Sequence, residues 1–463
     1  MSRLNYDEFI KNKALVIESA GIDISTDELN PLLFDFQKDI VRWALAKGRA
    51  AIFADCGLGK TAMQLEWAEQ IRKRTGGKVI VIAPLAVASQ TKEEGAKFDI
   101  DVNICASQAD VVADMVNITN YEKLEKFNGS EFTAVVLDES SILKAFAGKV
   151  RNQIINMFQK VQFKLACTAT PAPNDYMELG NHSEFLGVMT RAEMLSMFFV
   201  HDGGQTSKWR LKGHAENLFW KWLASWSAVV DNPANLGYTS VDYTLPELKV
   251  RQIIADGAEI SEEVLSLTER RNARRDSLEL RCKAAAGLVN KSDEQWLVWC
   301  DLNSEADMLN ELINDSVNVQ GSDKPDFKVK AMSDFASDKL KCLITKPKIA
   351  GYGMNWQNCH NMIFVGLSDS FEAYYQSIRR CWRFGQNHKV NAYIVISSKE
   401  GAVKQNIERK QADNEKFKRE LVSLTRDITA RELKSTCRIT APYNPENVMK
   451  LPEWEEFKNA KCA

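Results

Sequence analysis

The chain has 463 residues, and its 60 Lys or Arg against 62 Asp or Glu give a net charge close to −2. With 45% hydrophobic residues, this composition is typical of a globular protein of roughly three domains. The balanced charge excludes a strongly basic protein that coats nucleic acid, so any basic surface has to be gathered in a cleft. No apolar run is long enough to cross a bilayer, and the N-terminal residues lack the apolar centre of a signal peptide.

The ten cysteines and five histidines are dispersed along the chain, and no C-x-x-C pair occurs. This spacing indicates neither a zinc site nor a disulfide framework. We therefore expect a cytoplasmic protein without a membrane partner, and without a metal other than an ion carried by its ligand.

Short apolar strands alternate with amphipathic helices from residue 34 onwards. The first strands are predicted at 50–54, 78–83, 116–119, 134–137 and 164–167, and the alternation resumes from 295–300 to about 397. This order predicts an α/β fold of βαβ units, with parallel sheets covered by helices on both faces. The predicted divisions are an N-terminal lead-in (1–30), a first α/β domain (31–190) and a helical, aromatic-rich middle (191–292). A second α/β domain (293–400) and a C-terminal helix with a tail (401–463) follow.

The middle segment offers two alternatives for its aromatic and basic residues. Trp222 and Trp226 lie four apart, which suits a buried helix face, and we favour this over stacking on bases or wedging a duplex. Five arginines between Arg270 and Arg281 are interspersed with glutamates. A solvated helix face is favoured over phosphate contacts or a brace between domains.

A glycine-rich segment, A-D-C-G-L-G-K-T at 54–61, follows an apolar strand and opens a helix. Glycines such as Gly57 and Gly59 let backbone N–H groups curl around phosphates, and a helix N-terminus adds its positive dipole. Lys60 is expected to reach the β and γ phosphates, and the Thr61 hydroxyl to bind Mg²⁺.

An acidic pair, Asp138 and Glu139, ends the strand that begins near Thr133. Carboxylates at the end of a buried strand are costly unless a positive charge meets them, and Mg²⁺ with a triphosphate supplies it. We expect Asp138 to hold the metal and Glu139 to orient the attacking water. A helix N-cap is the alternative for the pair taken alone.

Further segments follow in a fixed order in the first half of the chain: F-Q-K-D-I-V-R-W at 36–43, A-P-L at 83–85, I-T-N-Y-E at 118–122 and T-A-T-P-A-P-N at 168–174. Together with the phosphate loop and the acidic pair, this series resembles superfamily 2 helicases, and more narrowly the core of the Swi/Snf-type DNA translocases. The resemblance implies adenine reading by Gln37, nucleic-acid contacts by Pro84, Thr119 and Asn120, and coupling of the two lobes by Thr168 and Thr170.

The second half of the chain continues the resemblance. I-A-G-Y-G-M-N-W at 349–356 is similar to the family's A-G-x-G-x-N segment, and Q-S-I-R-R-C-W-R-F-G-Q at 376–386 to its Q-x-x-x-R-x-x-R-x-G-Q segment. The resemblance implies that Gly353 contacts the nucleotide, that Gly351 and Asn355 contact nucleic acid, that Gln376 couples the lobes, and that Arg380 and Arg383 reach the γ phosphate. Two departures are D-E-S-S in place of D-E-A-H or D-E-G-H, and the loss of a tryptophan near Gln90.

The resemblance thus implies two tandem RecA-like domains that use ATP and Mg²⁺ to move along DNA. Duplex DNA, contacted mainly through its backbone, is the expected track. The alternatives are a helicase that unwinds through single-stranded DNA or RNA, and a non-hydrolysing subunit of a replication or nuclease complex. The compact form suggests a phage or bacterial protein, in the host cytoplasm if phage-encoded. Replication or recombination proteins are further expected partners, and the sequence does not determine the oligomeric state.

Overall fold

The computed structural model describes residues 21–434, except for 86, 145–147, 174, 202–208, 241, 259–266, 351–353 and 369. Two separate parallel sheets define two lobes, as the sequence predicts. None of the helices in this described part of the chain is long and apolar enough to cross a membrane.

Lobe 1 begins with a helix that packs beside the first strand. Its elements in chain order are α1 (Asp35–Lys47), β1 (Arg49–Ala54), α2 (Lys60–Thr75), β2 (Val79–Ala83), α3 (Ala88–Lys97), β3 (Val102–Ile104), β4 (Val116–Asn120), β5 (Ala134–Asp138), α4 (Lys149–Met157) and β6 (Phe163–Cys167). The next elements are α5 (Leu179–Leu186), α6 (Arg191–Phe198), β7 (Phe199–His201), β8 (Trp209–Leu211), α7 (Glu216–Trp226) and β9 (Ser227–Val230).

The lobe 1 sheet has the strand order β3-β4-β2-β5-β6-β1-β9, and all its pairs are parallel. Its central strands are buried on both faces, which explains their continuous apolar runs. Because the carboxyl ends of parallel strands meet at one edge, the loops after β1, β2, β4, β5 and β6 lie together there.

The aromatic segment contributes to the lobe 1 core. Trp220, Trp222 and Trp226 on α7 are at most 8% exposed and pack with rings of the same cluster. The interpretation of these residues as a buried helix face therefore describes their position. The short strands β7 and β8 pair antiparallel beside this helix.

Lobe 2 has its own parallel sheet. Its elements are β10 (Leu248–Ile254), α8 (Leu267–Asp276), α9 (Leu278–Val289), β11 (Trp296–Cys300), α10 (Asn303–Leu312), β12 (Ser316–Asn318), α11 (Pro325–Ala336), β13 (Cys342–Thr345), α12 (Pro347–Ala350), β14 (Asn361–Val365), α13 (Phe371–Ile378) and β15 (Val390–Ile396). The strand order is β10-β15-β14-β11-β13-β12. β9 belongs to the lobe 1 sheet and β10 to the lobe 2 sheet, so the segment between 191 and 292 contributes one strand to each.

Short 3-10 helices occupy several connections, at Thr26–Glu28, Gln108–Asp110, Tyr121–Lys126, Gly129–Glu131, Ser140–Lys144, Tyr176–Glu178, Gly213–Ala215, Pro233–Leu236 and Ser398–Glu400.

The last helix, α14 (Gly401–Lys434), leaves lobe 2 and packs back onto lobe 1 against α1, α7 and β9. Leu421 and Leu433 are buried in the lobe 1 core, and the Tyr176 hydroxyl donates to Glu420 Oε2 at 2.6 Å. Arg42 also donates to the Leu433 carbonyl. The chain therefore crosses between the lobes twice.

A buried ion cluster joins the helices of lobe 2. Arg281 and Glu305 are fully buried and form an ion pair at 2.8 Å, and Glu400 lies 3.4 Å from the same guanidinium. Arg274 pairs with Asp301 at 2.7 Å. Of the arginines that we expected on a solvated helix face, Arg281 is buried and Arg274 is largely covered. The expectation is wrong for these two because carboxylates compensate their charge.

Replacing Arg281 by Ala should lower the free energy of unfolding of lobe 2 by about 3–5 kcal/mol, because Glu305 and Glu400 would stay buried without a cation. Urea unfolding followed by circular dichroism measures this. The exposed Arg251, which stacks on Tyr393, provides the control, and Arg251→Ala should change stability by no more than about 0.5 kcal/mol. Equal losses for the two variants would contradict the importance of the cluster.

Candidate nucleotide site between the lobes

The phosphate loop joins β1 to α2 and has the backbone that its glycines predict. Gly57 has φ +89° and Gly59 has φ +75°, which is the left-handed region that a side chain disfavours. The Lys60 ammonium donates to the carbonyls of Ala54 and Asp55 at 2.8 and 3.1 Å. Three predicted nucleotide-binding residues are therefore brought together in one turn at a helix N-terminus.

Gln37 lies directly against this loop. Its Nε2 donates to the Leu58 carbonyl at 3.0 Å, and its Oε1 accepts from the Phe34 N–H at 3.0 Å. A Cβ added to Gly59 would come within 2.2 Å of the Gln37 Nε2. The side chain thus positions the loop through both ends of its amide, and adenine reading by Gln37 stays a prediction.

The acidic pair lies at the carboxyl end of β5. Asp138 accepts from Gln64 Nε2 at 2.8 Å. Thr61 lies three residues before Gln64 on α2 and so shares its helix face. Burial raises the pKa of Asp138 above its usual value, and Glu139 adds to this rise, whereas Gln64 and Lys60 act in the opposite direction. Asp138 therefore contacts, through Gln64, the face of α2 that carries Thr61, the other predicted Mg²⁺ ligand.

Glu139 has φ +54°, a strained conformation for a residue with a side chain, and it takes donors from both lobes. Its Oε1 accepts from the hydroxyls of Thr168 at 2.7 Å and Ser141 at 3.2 Å. From lobe 2, Gln376 Nε2 reaches the same oxygen at 3.4 Å. Thr168 also accepts from the Thr170 N–H at 3.0 Å, so the predicted coupling residues adjoin the acidic pair.

The two predicted arginines of lobe 2 lie behind Gln376. Arg380 donates to the Gln376 Oε1 and to the Met354 carbonyl, both at 3.0 Å. Arg383 donates to the same carbonyl at 3.3 Å, and burial together with Arg380 lowers the pKa of Arg383 to about 10. Their described bonds lie within lobe 2, so their approach to a γ phosphate stays a prediction.

Three further polar contacts cross the cleft, and sequence reasoning missed them. Asp55 of the phosphate loop pairs with Arg379 at 2.5 Å and accepts from the Tyr375 hydroxyl at 2.7 Å. Farther out, Lys144 pairs with the buried Glu372. The signal available in the sequence was a charged residue inside the loop and an additional arginine beside the expected two.

The residues predicted to contact nucleic acid are more dispersed. Pro84 follows β2 and Asn120 ends the adjacent β4, so these two lie at the same sheet edge. Thr119 is buried and its hydroxyl donates to the Cys105 carbonyl at 2.9 Å, so its side chain is used within lobe 1. Asn355 follows the Met354 carbonyl that both arginines hold, while Gly351 and Gly353 lie outside the described residues.

The donor set fits a magnesium–nucleotide complex. Asp138 is a partly buried carboxylate whose pKa is raised by burial, and oxygen ligands such as Asp138 and Thr61 suit Mg²⁺. The glycine loop and the Lys60 ammonium lie on the adjacent side. A triphosphate with its cation would match both the anionic and the cationic half of this site.

Two family models match the chain, one on each lobe. The model described as "Type III restriction enzyme, res subunit" matches residues 31–173, and the model described as "Helicase conserved C-terminal domain" matches residues 280–385. The first contains the phosphate loop and the acidic pair, and the second ends just after Arg383.

Curated relatives match a shorter part of the chain. The DNA annealing helicase and endonuclease ZRANB3 of Bos taurus is 26% identical over 220 residues, which are 42% of this chain and 20% of that protein. Its Mus musculus counterpart is 24% identical over 168 residues, 33% of this chain and 16% of that protein. The similarity thus spans a fifth or less of these relatives. Among solved structures, the Sulfolobus solfataricus SWI2/SNF2 ATPase core in complex with dsDNA has a TM-score of 0.43 at 16% identity, covering 89% of this chain and 98% of that one.

With both lobes matched in order, the chain carries the core of a superfamily 2 helicase. The matches to the ZRANB3 relatives agree with the resemblance of the motifs to the Swi/Snf type.

Gly57 is packed against lobe 2, and this contact can be tested. A Cβ at Gly57 would lie 2.8 Å from the Phe384 backbone N, in addition to the strain of φ +89°. We expect Gly57→Ala to open the lobes and raise the radius of gyration in small-angle X-ray scattering. Gly76 has φ +66° with nothing within 4 Å, so Gly76→Ala has similar backbone strain without the clash. An unchanged radius for Gly57→Ala would contradict the packing of the loop on lobe 2.

His182 supports the segment behind the acidic pair, where its Nε2 lies 3.1 Å from the Ser140 hydroxyl. Burial lowers the pKa of His182 to about 4, below its ordinary value near 6.5. The folded state thus binds fewer protons than the unfolded chain, so stability present above pH 6.5 is lost as the pH falls towards 4.

Unfolding measured at pH 7.5 and pH 5 should show a loss of about 2 kcal/mol from this group. In His182→Gln this pH-dependent part should disappear, whereas His214→Gln, at an exposed histidine, should keep it. A wild-type pH dependence in His182→Gln would contradict the assignment.

Proposed function

We propose that the chain is an ATP-dependent DNA translocase that couples ATP hydrolysis to movement along duplex DNA. The observation that carries this proposal is the meeting of both lobes at Glu139, whose carboxylate accepts from Thr168 of lobe 1 and from Gln376 of lobe 2. Because the two donors belong to different lobes, the geometry of this carboxylate depends on how the lobes sit together.

The residues of lobe 1 bind the nucleotide in this proposal. Lys60 and the backbone of the glycine loop hold the phosphates, and Gln37 keeps the loop in place. Thr61 and Asp138 would hold Mg²⁺, which when bound neutralises charge on the phosphates. Glu139 orients the attacking water and accepts its proton.

Lobe 2 completes the site on closure. Arg380 is held by Gln376 and by the backbone at Met354, and Arg383 is held at the same carbonyl. In the proposal the closed lobes hold these guanidinium groups beside the γ phosphate, where they stabilise transition-state charge. Hydrolysis then occurs only with closed lobes, and lobe movement becomes movement along the track.

DNA as the track is supported by the resemblance of the motifs to the Swi/Snf type and by the similarity to two DNA annealing helicases. Pro84 and Asn120 of lobe 1 and Asn355 of lobe 2 are the proposed contacts with the sugar-phosphate backbone. Contacts of this kind carry little sequence information, so we expect little sequence specificity.

Glu139→Gln should reduce DNA-stimulated ATP hydrolysis at least about 100-fold while ATP still binds, because an amide cannot accept the proton of the attacking water. Steady-state hydrolysis is measured without nucleic acid and with duplex DNA, single-stranded DNA and RNA in parallel. Glu125→Gln, at an exposed glutamate of lobe 1, provides the control and should hydrolyse at the wild-type rate.

Stimulation by duplex DNA supports the translocase. Stimulation by single strands or RNA alone would replace it with the unwinding helicase. Absence of hydrolysis by the wild type would leave the non-hydrolysing subunit, and a wild-type rate for Glu139→Gln would remove the role given to this carboxylate.

A further inference from the structure

Asp55 places a negative charge inside the phosphate loop. Its Oδ1 accepts from the Cys56 N–H and the Tyr375 hydroxyl, each at 2.7 Å, and its Oδ2 lies 2.5 Å from Arg379. The side chains of Asp55 and Arg379 are only 14% and 7% exposed. Because water screens this pair poorly, each charge strongly affects its surroundings.

Arg379 is fixed to lobe 2 by aromatic side chains. Its guanidinium lies over the Trp382 ring at 4.5 Å and over the Tyr375 ring at 5.4 Å, and its Nε lies 3.2 Å from the Tyr375 hydroxyl. Burial opposes its charge, but Asp55 and Tyr375 raise the pKa of Arg379 above its usual value. A permanent cation is thus held rigidly against the loop.

The partners of Arg379 distinguish it from the two neighbouring arginines. Arg380 and Arg383 donate to Gln376 and Met354, both of lobe 2, whereas Arg379 alone of the three pairs with a carboxylate of lobe 1. When the lobes separate, Asp55 loses this cation. Its carboxylate then lies beside a loop built to receive phosphates without the charge of Arg379, and like charges repel.

We propose that Arg379 is a positioning residue that makes ATP affinity depend on lobe closure by neutralising Asp55 only when the lobes are together. The inference rests on the proposed function, since it presumes a nucleotide at the loop. Coupling between two equilibria is reciprocal, so ATP in turn favours the closed arrangement through this pair.

The test exploits opposite expected effects of two conservative changes. Binding of a non-hydrolysable ATP analogue with Mg²⁺ is measured by calorimetry without DNA, on the full chain. Arg379→Gln should weaken binding about tenfold, because Asp55 then stays charged in every arrangement. Asp55→Asn should bind at least as tightly as the wild type, since an asparagine Oδ1 still accepts from Cys56 and Tyr375.

The double variant decides between the electrostatic role and a merely structural one. With the carboxylate gone, Asp55→Asn/Arg379→Gln should return to within about threefold of the wild-type dissociation constant. A structural role predicts that both single variants weaken binding and that the double variant is the weakest. Arg251→Gln, at an exposed lobe 2 arginine, controls for loss of a cation, and melting temperatures verify that each variant folds.

Unchanged binding by Arg379→Gln, or a double variant as weak as Arg379→Gln, would overturn the inference. A wild type that does not bind the analogue would instead overturn the proposed function, so the two failures are distinguishable.

Discussion

The energetic cost of holding carboxylates away from water governs the cleft between the lobes. Asp55, Asp138 and Glu139 all lie at the carboxyl edge of the first sheet, and burial penalises the charged form of Asp138. Each one has acquired specific donors: an arginine, an amide, or hydroxyl groups. A parallel sheet produces this concentration of charge, because consecutive loops open at the same edge.

The donors come from both lobes, so the surroundings of these carboxylates depend on how the lobes are placed. Asp138 takes its described side-chain donor from lobe 1, whereas Glu139 and Asp55 are each partly satisfied by lobe 2. Separation of the lobes therefore changes the electrostatics at two points and leaves the third intact. Sensing of lobe closure needs a difference of this kind, since a ligand shifts an equilibrium only through unequal interaction with the two states.

Local signals were sufficient for much of the fold and of the site. Apolar strands followed by helices predict both sheets, and glycines before Lys60 predict the loop, because these features act over a few residues. The pairing of Asp55 with Arg379 joins residues 324 apart in the chain, and no local pattern contains it. Arg281 was misjudged for the same reason, as Glu305 and Glu400, which remove it from solvent, come from other elements.

The long helix α14 has a consequence for anything attached beyond it. It starts at the end of lobe 2 but buries Leu421 and Leu433 in lobe 1. Together with the connection between β9 and β10, α14 gives the lobes two covalent connections. This favours hinge bending over independent tumbling of the two lobes. The last described residue, Lys434, therefore lies at lobe 1 although α14 follows lobe 2 in sequence. Cargo fused directly after Lys434 would move with lobe 1, and a fluorophore pair meant to follow the hinge needs one dye on lobe 2, between β10 and β15.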